Sequence, residues 1–283
     1  EKMRGKLYLC ATPIGNLEDI TFRVLRTLKE ADLIAAEDTR NSRKLLNHFE
    51  IHTPMTSYHE YNKYEKGRWL IEQMEQGKNI ALITDAGTPG ISDPGEELVA
   101  MCRQEGIEVT SIPGPAACIT ALTMSGLPTR RFSFEAFLPA DKKERKAVLQ
   151  ELKTDTRTIV LYEAPHRLLK TLEELYQELG NRKIAVCREL TKKHETQFQA
   201  PLEEACSYYR ENPPKGECVL VLEGRPRQEL EREEQQKWEE MSVEDHVKLY
   251  LDQGMNKKEA MKQVAKDRGV SKRDIYQALL DRD

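Results

Sequence analysis

Short apolar runs alternate with helix-spaced segments along the first 126 residues. Four runs are too short for helices and are bounded by turn residues, which predicts β-strands. Between them apolar side chains recur every three or four positions, as at Phe22, Leu25 and Leu28, which indicates amphipathic helices. The predicted strands are 6–12, 33–36, 79–84 and 108–112, and the predicted helices are 21–31, 41–49, 62–76, 96–105 and 116–124. This alternation favours an α/β domain with a mostly parallel sheet.

A second α/β or α+β unit is predicted after the break at Gly126-Leu127-Pro128. Its predicted strands are 132–137, 158–162, 183–189, 195–200 and 217–223, and its predicted helices are 142–152, 166–179 and 202–212. The chain then becomes rich in Arg, Glu and Gln, which indicates a solvated linker or the start of a charged helix. We therefore expect domains at 1–126 and 127–224, a linker at 225–240 and a small helical tail at 241–283.

The tail is predicted to hold three short helices, 242–252, 257–267 and 271–280. Ser242, Asn256 and Ser271 are natural N-caps, and Gly254 and Gly269 stand where helices should end. Residues 254–283 carry eight basic and five acidic residues, a net charge of +3, whereas the whole chain has a net charge of −4. The tail therefore resembles a helix-turn-helix unit with its own charge, suited either to nucleic acid or to packing.

Composition narrows the class of protein. The chain has 283 residues with 39% hydrophobic and 33% charged side chains, enough for real cores under a charged surface. No run approaches the roughly 18 apolar residues that cross a bilayer, and the first residues lack a secretory signal, so we expect a cytoplasmic protein. The six cysteines form no zinc-like cluster, which predicts buried, reduced thiols and no metal.

Three loops built from Gly, Pro and small residues follow predicted strands. They are the segments 11–16, 85–90 and 113–117. Ligands of open parallel sheets bind beyond the carboxyl ends of the strands, and small residues let a ligand approach the backbone. Loop geometry alone also favours Gly and Pro, but three such loops at equivalent positions favour a binding site. The chain has no GxxxxGK[ST] motif and no GxGxxG after its first strand, which argues against a P-loop and a common dinucleotide site.

Six motifs, in order along nearly the whole chain, resemble the ribosomal-RNA branch of the tetrapyrrole methylase superfamily. They are Thr12-Pro13-Ile14-Gly15-Asn16-Leu17, Ala36-Glu37-Asp38-Thr39-Arg40, Asp85-Ala86-Gly87-Thr88-Pro89, Pro113-Gly114-Pro115, Glu163-Ala164-Pro165-His166-Arg167 and Lys215-Gly216-Glu217. The resemblance implies a two-domain α/β fold, a homodimer and S-adenosyl-L-methionine in the cleft between the domains. It also implies 2′-O-methylation of a cytidine ribose in the decoding region of small-subunit (16S) rRNA, with the rRNA or the assembled subunit as partner.

The resemblance also implies which residues bind the cofactor. The first two loops and the small positions after the third would hold it, with Tyr162 reaching it from the second domain. The expected cofactor-binding residues are Pro13, Ile14, Gly15, Asp85, Gly87, Thr88, Pro89, Ile91, Ala116, Ala117 and Tyr162. Thr88 stands where many relatives have Asp, so backbone carbonyls are expected to share in binding the cofactor amine.

Methyl transfer to a ribose needs a positioned hydroxyl and a group to take its proton. The candidate catalytic residues are Asp38, Arg40, Glu163, His166 and Glu189. Asp38 and Arg40 can instead pair across their loop, and Glu163 can instead cap the helix at Pro165.

Phosphate contacts need positive charge. The candidate RNA-binding residues are Arg130, Arg131, Lys142, Lys143, Arg145, Lys146, Arg167 and Arg188, with a shorter run at Lys192, Lys193 and His194. The alternative for each basic run is a solvated face.

Two other functions remain open from the sequence. One is a small-molecule methylase of the same fold that acts on a tetrapyrrole. The other is a DNA-binding regulator that reads DNA with the C-terminal helices and senses a ligand with the first half. The basic runs and the wording of the motifs favour the RNA methyltransferase.

Overall fold

A computed structural model describes residues 3–281. Residues 1–2 and 282–283, which the predicted domain boundaries include, lie outside these described residues. Within the described range the chain forms two compact units, residues 3–140 with 158–223, and residues 141–157 with 224–281.

The first sheet is parallel throughout. Its strands run in the order β3-β2-β4-β1-β5, and they are β1 (Leu7–Cys10), β2 (Leu33–Ala36), β3 (Met55–Ser57), β4 (Ile80–Ile83) and β5 (Val109–Ile112). The helices between them are α1 (Phe22–Glu30), α2 (Thr39–His48), α3 (Lys63–Glu75) and α4 (Gly95–Gln104). The prediction of a parallel α/β sheet is confirmed.

Strand residues alternate between two cores, one on each face of this sheet. Leu7 and Leu9 of β1 pack in a cluster with Leu70 of α3 and Leu98 of α4. The strand residues of opposite parity face the other side of the sheet, where Cys10 of β1 and Ala81 and Ile83 of β4 pack with Val24 of α1 and Leu46 of α2. Because successive strand side chains point to opposite faces, strands this apolar must be covered on both sides. The sheet therefore leaves its carboxyl edge as the place for a ligand.

The second sheet is mixed. Its order is β6-β7-β10-β8-β9, with β6 parallel to β7 and the other pairs antiparallel. Its strands are β6 (Phe132–Ala136), β7 (Thr158–Glu163), β8 (Lys183–Arg188), β9 (Thr196–Pro201) and β10 (Cys218–Leu222). Helix α5 (Ala117–Met124) packs with Val160, Cys187 and Val221 of this sheet. The sequence-based break at residue 126 thus falls between α5 and the first strand of this second sheet.

Helices form the second unit. They are α6 (Lys142–Leu152), α9 (Arg227–Gln236), α10 (Val243–Asp252), α11 (Lys257–Arg268) and α12 (Lys272–Leu280), while α7 (Leu168–Leu179) and α8 (Leu202–Glu211) belong to the first unit. The tail helices share a core that includes Val247, Val264 and Ile275. One finding differs from the expected boundaries, because residues 141–157 group with the tail. The charged segment 225–240 contains α9, which is the helical one of the two alternatives that the sequence left open.

The expected caps of the tail helices are confirmed. The Ser242 side chain accepts the Asp245 N–H, and Asn256 and Ser271 each form a capping box. Gly269 ends α11 in the left-handed region, with φ +65°. These local signals set the helix ends because they satisfy backbone groups that have no partner within the helix.

Candidate functional site

Three strand-end loops meet because β4 and β5 lie on either side of β1. Thr12 and Gly87 exchange two backbone hydrogen bonds. The Thr12 N–H donates to the Gly87 carbonyl at 3.1 Å, and the Gly87 N–H donates to the Thr12 carbonyl at 3.0 Å. The Thr88 hydroxyl donates to the Pro115 carbonyl at 2.9 Å. The loops after β1, β4 and β5 are therefore joined into one surface at the carboxyl edge of the sheet.

Two glycines make this junction possible. A Cβ on Gly114 would lie 2.5 Å from the Ala11 Cβ, so only glycine lets the first and third loops approach so closely. Gly87 has φ +81°, and a Cβ there would lie 3.2 Å from Ile14 Cγ2. A side chain at position 114 would therefore push the first and third loops apart, whereas one at position 87 would be strained by the backbone conformation and would press on the Ile14 side chain.

A cavity of about 540 Å³ opens beside the joined loops, within the size range of small-molecule sites. We name it the first cavity. Eight of the expected cofactor-binding residues line it: Ile14, Asp85, Gly87, Thr88, Ile91, Ala116, Ala117 and Tyr162.

Tyr162 is the aromatic part of this wall. Its hydroxyl accepts the Cys118 N–H at 3.2 Å, and Phe134 and Phe137 meet its ring edge-on with centroids 5.1 and 5.8 Å away. Burial raises the pKa of the Tyr162 phenol. The tyrosine is therefore a fixed, neutral wall of the first cavity.

Acidic side chains dominate the charge of the first cavity. Six carboxylates line it, those of Glu37, Asp85, Asp93, Glu163, Glu189 and Glu217. The lysine in the lining, Lys192, lies 3.3 Å from the Glu189 carboxylate. Such a cavity favours a cationic ligand and repels an anionic one.

Burial raises the pKa of three of these carboxyls. For Glu37 the neighbouring carboxylates Asp85 and Asp93 raise the pKa further. For Asp85 the next contribution comes from Asp38. Asp93 is held by the N–H groups of Gly90 and Gly95, which lower its pKa again but not back to the ordinary value. A positive charge in the cavity would relieve this crowding.

Glu163 is buried and held in place. Its Oε1 accepts the Ala164 N–H at 2.8 Å, and its Oε2 accepts the Thr171 hydroxyl of α7 at 2.6 Å. The following 3-10 helix, Pro165–Arg167, has no side-chain cap. The carboxylate is thus fixed against α7 and lines the first cavity, instead of capping that short helix.

Glu189 adopts an unusual backbone conformation where it lines the first cavity. Its φ is +53°, and Thr191 nearby has φ +69°, in a region that non-glycine residues avoid. A Cβ on Gly216 would lie 1.7 Å from the Glu189 carboxylate, so the carboxylate occupies the space that this glycine leaves. Strained residues of this kind cluster at functional sites.

Other expected site residues lie outside the first cavity. Pro13 and Gly15 line an adjoining second cavity, and Pro89 is buried without lining either. Asp38 is the N-cap of α2 and accepts the N–H groups of Arg40 and Asn41 at 2.9 and 3.3 Å. Its contact with Arg40 is therefore made to the backbone.

Three candidates near the second sheet are placed away from the first cavity. His166 and Arg167 are exposed in the 3-10 helix and line neither cavity. Arg188 is half-buried, and its Nη1 donates to the Lys215 carbonyl at 2.9 Å. Their proposed roles therefore need RNA or substrate to reach them from outside.

The basic cluster after the break is divided between the two units. Arg130 and Arg131 are exposed in the first unit, just before β6. Lys142, Lys143 and Lys146 are exposed on α6 in the second unit, where Arg145 is half-buried. On α6, the three lysines can therefore be neutralised without disturbing a packed side chain.

Sequence reasoning did not single out Glu37, Asp93, Glu217 or Phe137 as site residues, although all four line the first cavity. Glu37 and Glu217 stand inside two of the quoted motifs, Ala36–Arg40 and Lys215–Glu217, so position within a motif was the available signal. Asp93 and Phe137 carried no signal of this kind.

The remaining chemistry is simple. All six cysteines are buried and unpaired, as predicted. Across residues 3–281 no group of three or more His, Cys, Asp or Glu side chains could hold a metal ion. No helix of that described part is both long and apolar enough to cross a membrane.

Comparison with known proteins gives two kinds of similarity. A family profile for tetrapyrrole (corrin/porphyrin) methylases matches residues 6–206. Two proteins named ribosomal RNA small subunit methyltransferase I are similar over nearly their whole length. The one from Halalkalibacterium halodurans is 54% identical over 96% of this chain and 94% of its own. The one from Bacillus subtilis is 48% identical over 97% and 94%.

Solved structures share the fold at lower identity. Uroporphyrin-III-C-methyltransferase from Thermus thermophilus superposes with a TM-score of 0.56 at 22% identity, over 78% of this chain and 94% of that one. A diphthine synthase superposes with a TM-score of 0.60 at 16% identity, over 77% and 90%. At these identities the likeness concerns the fold alone.

Proposed function

This chain belongs to the tetrapyrrole (corrin/porphyrin) methylase family and is a methyltransferase, and we propose that it uses S-adenosyl-L-methionine to methylate small-subunit rRNA. The proposed acceptor is the 2′-oxygen of a cytidine ribose in the decoding region of 16S rRNA, presented by the rRNA or by the assembled small subunit. We further propose that the enzyme works in the cytoplasm as a homodimer.

One observation carries the choice of acceptor. The relatives that match almost the whole chain at about half identity bear the name of an rRNA methyltransferase. The uroporphyrin methylase shares only the fold, at 22% identity. A tetrapyrrole acceptor is therefore the weaker interpretation, since a common fold does not carry a common substrate.

The first cavity fits S-adenosyl-L-methionine in size and charge. This molecule carries a positive sulfonium, a positive ammonium and one carboxylate, a net positive charge, and six carboxylates line the cavity. Gly87 and the small side chains of Ala116 and Ala117 leave the backbone accessible, with Tyr162 as the aromatic wall. When bound, S-adenosyl-L-methionine supplies a methyl group already activated by its positively charged sulfur.

The chain's own part in the transfer is positioning and proton removal. A ribose hydroxyl must be held in line with the methyl donor, and this alignment supplies much of the rate. Of the candidate bases, Glu163 and Glu189 line the first cavity. The carboxyls of Glu37, Asp85 and Asp93, with pKa values above ordinary, are stronger proton acceptors than free carboxylates, because Brønsted basicity rises with pKa.

The test is transfer of labelled methyl groups from S-adenosyl-L-methionine. Small ribosomal subunits from cells that lack this protein are the acceptor, and subunits from cells that have it are the matched control. Naked 16S rRNA, DNA and a porphyrin precursor are offered in parallel. We expect label in the rRNA of the first sample and little in the control. The phosphodiester bond on the 3′ side of the labelled nucleotide should resist alkaline hydrolysis, because methylation blocks the 2′-oxygen that would attack it. Label on the porphyrin precursor alone would replace this proposal with the tetrapyrrole methylase, and no label on any acceptor would refute it.

A further inference from the structure

A second cavity of about 370 Å³ adjoins the first. It lies between the loop after β1 and one side of α2, and its lining includes Thr84 and Asp85, which also line the first cavity. The two cavities therefore share a wall at the carboxyl end of β4.

The lining of the second cavity combines an apolar surface with cationic and amide groups. Pro13, Leu17 and Leu45 supply the apolar surface, and Leu17 remains 43% exposed. Lys44 and His48 supply the basic groups, both exposed on α2. An apolar surface beside a few directed polar groups is the usual pattern of a site for a small organic group.

Charge separates the two cavities. The six carboxylates of the first cavity would repel the phosphates of an RNA strand. Among the described residues, a single carboxylate, that of Asp85, lines the second cavity, so the repulsion there is weaker. Lys44 forms no ion pair with any residue in the described range 3–281, so its charge is available to a ligand. A polyanionic acceptor that must bring one ribose to the first cavity can thus keep its phosphates in the second.

Asp85 stands where the two cavities meet. Burial raises the pKa of its carboxyl, and the neighbouring Asn41 side chain, which also lines the second cavity, lowers it in part. Asn16 fixes the opposite side of the second cavity, since its Nδ2 donates to the Thr191 carbonyl at 3.4 Å and its Oδ1 accepts the Glu18 N–H at 3.0 Å. The loop side of the second cavity is thus held by the protein's own hydrogen bonds.

We propose that the second cavity is the nucleotide subsite for the acceptor RNA, with Lys44 and His48 contacting phosphate and Leu17 packing against the sugar or base. This inference rests on the proposed function, because it supplies the subsite that presents the ribose to the first cavity. It assigns the acceptor strand to the α2 side of the sheet.

The test compares two neighbouring cations on α2. Lys44 lines the second cavity, whereas Arg43, which is also exposed, lies on a different surface beside Asn47 and Pro54. Binding of a short single-stranded oligoribonucleotide is measured by fluorescence anisotropy across a salt series. We expect Lys44→Ala with His48→Ala to weaken binding at least ten-fold. We expect Lys44→Ala alone to flatten the salt slope by about 0.7, the value for one neutralised phosphate of single-stranded RNA.

Arg43→Ala is the matched control, with the same charge change on the same helix. It should alter binding by less than two-fold, and Lys44→Arg should restore most of the affinity that Lys44→Ala removes. The affinity for S-adenosyl-L-methionine, measured by calorimetry, should be the same in the wild type and in all four variants. Equal losses of affinity from Lys44→Ala and Arg43→Ala, no loss from either, or no oligoribonucleotide binding by the wild type would each overturn the subsite.

This experiment separates the subsite from the methylation proposal. Oligoribonucleotide binding requires no methyl transfer, so it reads the second cavity even if small subunits accept no label. Conversely, the wild type could label subunits, and the double variant Lys44→Ala with His48→Ala could have the same KM for subunits as the wild type. That result would leave the methyltransferase proposal intact and would refute the subsite.

Discussion

Gly87 offers the sharpest test of where the methyl donor binds. Its φ of +81° lies in the left-handed region, and a side chain there would project beside Ile14 and Pro115 at the wall of the first cavity. We predict that Gly87→Trp abolishes S-adenosyl-L-methionine binding because the indole fills space that the ligand needs.

Two effects must be separated, strain and obstruction. A side chain in the left-handed region costs roughly 1–2 kcal/mol, which a domain stable by about 5–15 kcal/mol tolerates. Obstruction should be larger for the ligand than for the fold. We expect at least a 100-fold loss of affinity, which corresponds to about 2.8 kcal/mol at 1.4 kcal/mol per factor of ten.

Gly126→Trp is the matched control. Gly126 has φ +71°, and nothing lies within 4 Å of the position its Cβ would take, so this variant carries the strain without the obstruction. Calorimetry with S-adenosyl-L-methionine and the urea midpoint of unfolding are measured for both variants and for Gly87→Ala. The placement would be refuted by a folded Gly87→Trp protein that binds S-adenosyl-L-methionine as tightly as the Gly126→Trp protein does.

Two further predictions concern the second unit. Replacing Lys142, Lys143 and Lys146 of α6 with Ala should flatten the slope of log RNA affinity against log salt by about 0.7 to 0.9 for each phosphate that the variant no longer neutralises. The affinity for S-adenosyl-L-methionine should not change. Parallel salt lines for the variant and the wild type would identify these lysines as a solvated face. His246 is buried and its ring stacks on that of Trp238. Its Nε2 lies 3.0 Å from Asp267 Oδ2, and its Nδ1 accepts a hydrogen bond from Arg268 Nε at 3.0 Å. Both ring nitrogens of a neutral imidazole therefore have partners. Burial lowers its pKa below the ordinary 6.5, so the unfolded chain takes the proton first and stability falls as the pH drops below 6.5. In a Trp69→Phe protein, the urea midpoint read from Trp238 fluorescence should fall between pH 7.5 and 5.5, whereas a midpoint that stays constant over this range would contradict it.

The sequence determined the local elements wherever apolar periodicity and capping residues agreed. Helix α6 spans the predicted residues 142–152, and the caps at Asn256 and Ser271 were readable because a side chain and its backbone partner lie three residues apart. Strand β3 was missed, because Met55–Ser57 is a three-residue edge strand without an apolar run. Helix α9 was left open between linker and helix, since none of its residues is buried.

The candidate loops were also determined by the sequence, because Gly and Pro after a strand mark a turn whatever the fold. The strand order brings these loops together. Strands β4 and β5 flank β1, so Thr12 and Gly87, which are 75 positions apart, exchange hydrogen bonds. The sequence named Glu163 and Glu189 as chemical candidates, but only the tertiary structure put them on a wall with Glu37, Asp93 and Glu217. Local spacing specifies turns and helix faces, whereas the charge of a cavity is a sum over strands distant in sequence, and only their packing brings those charges together.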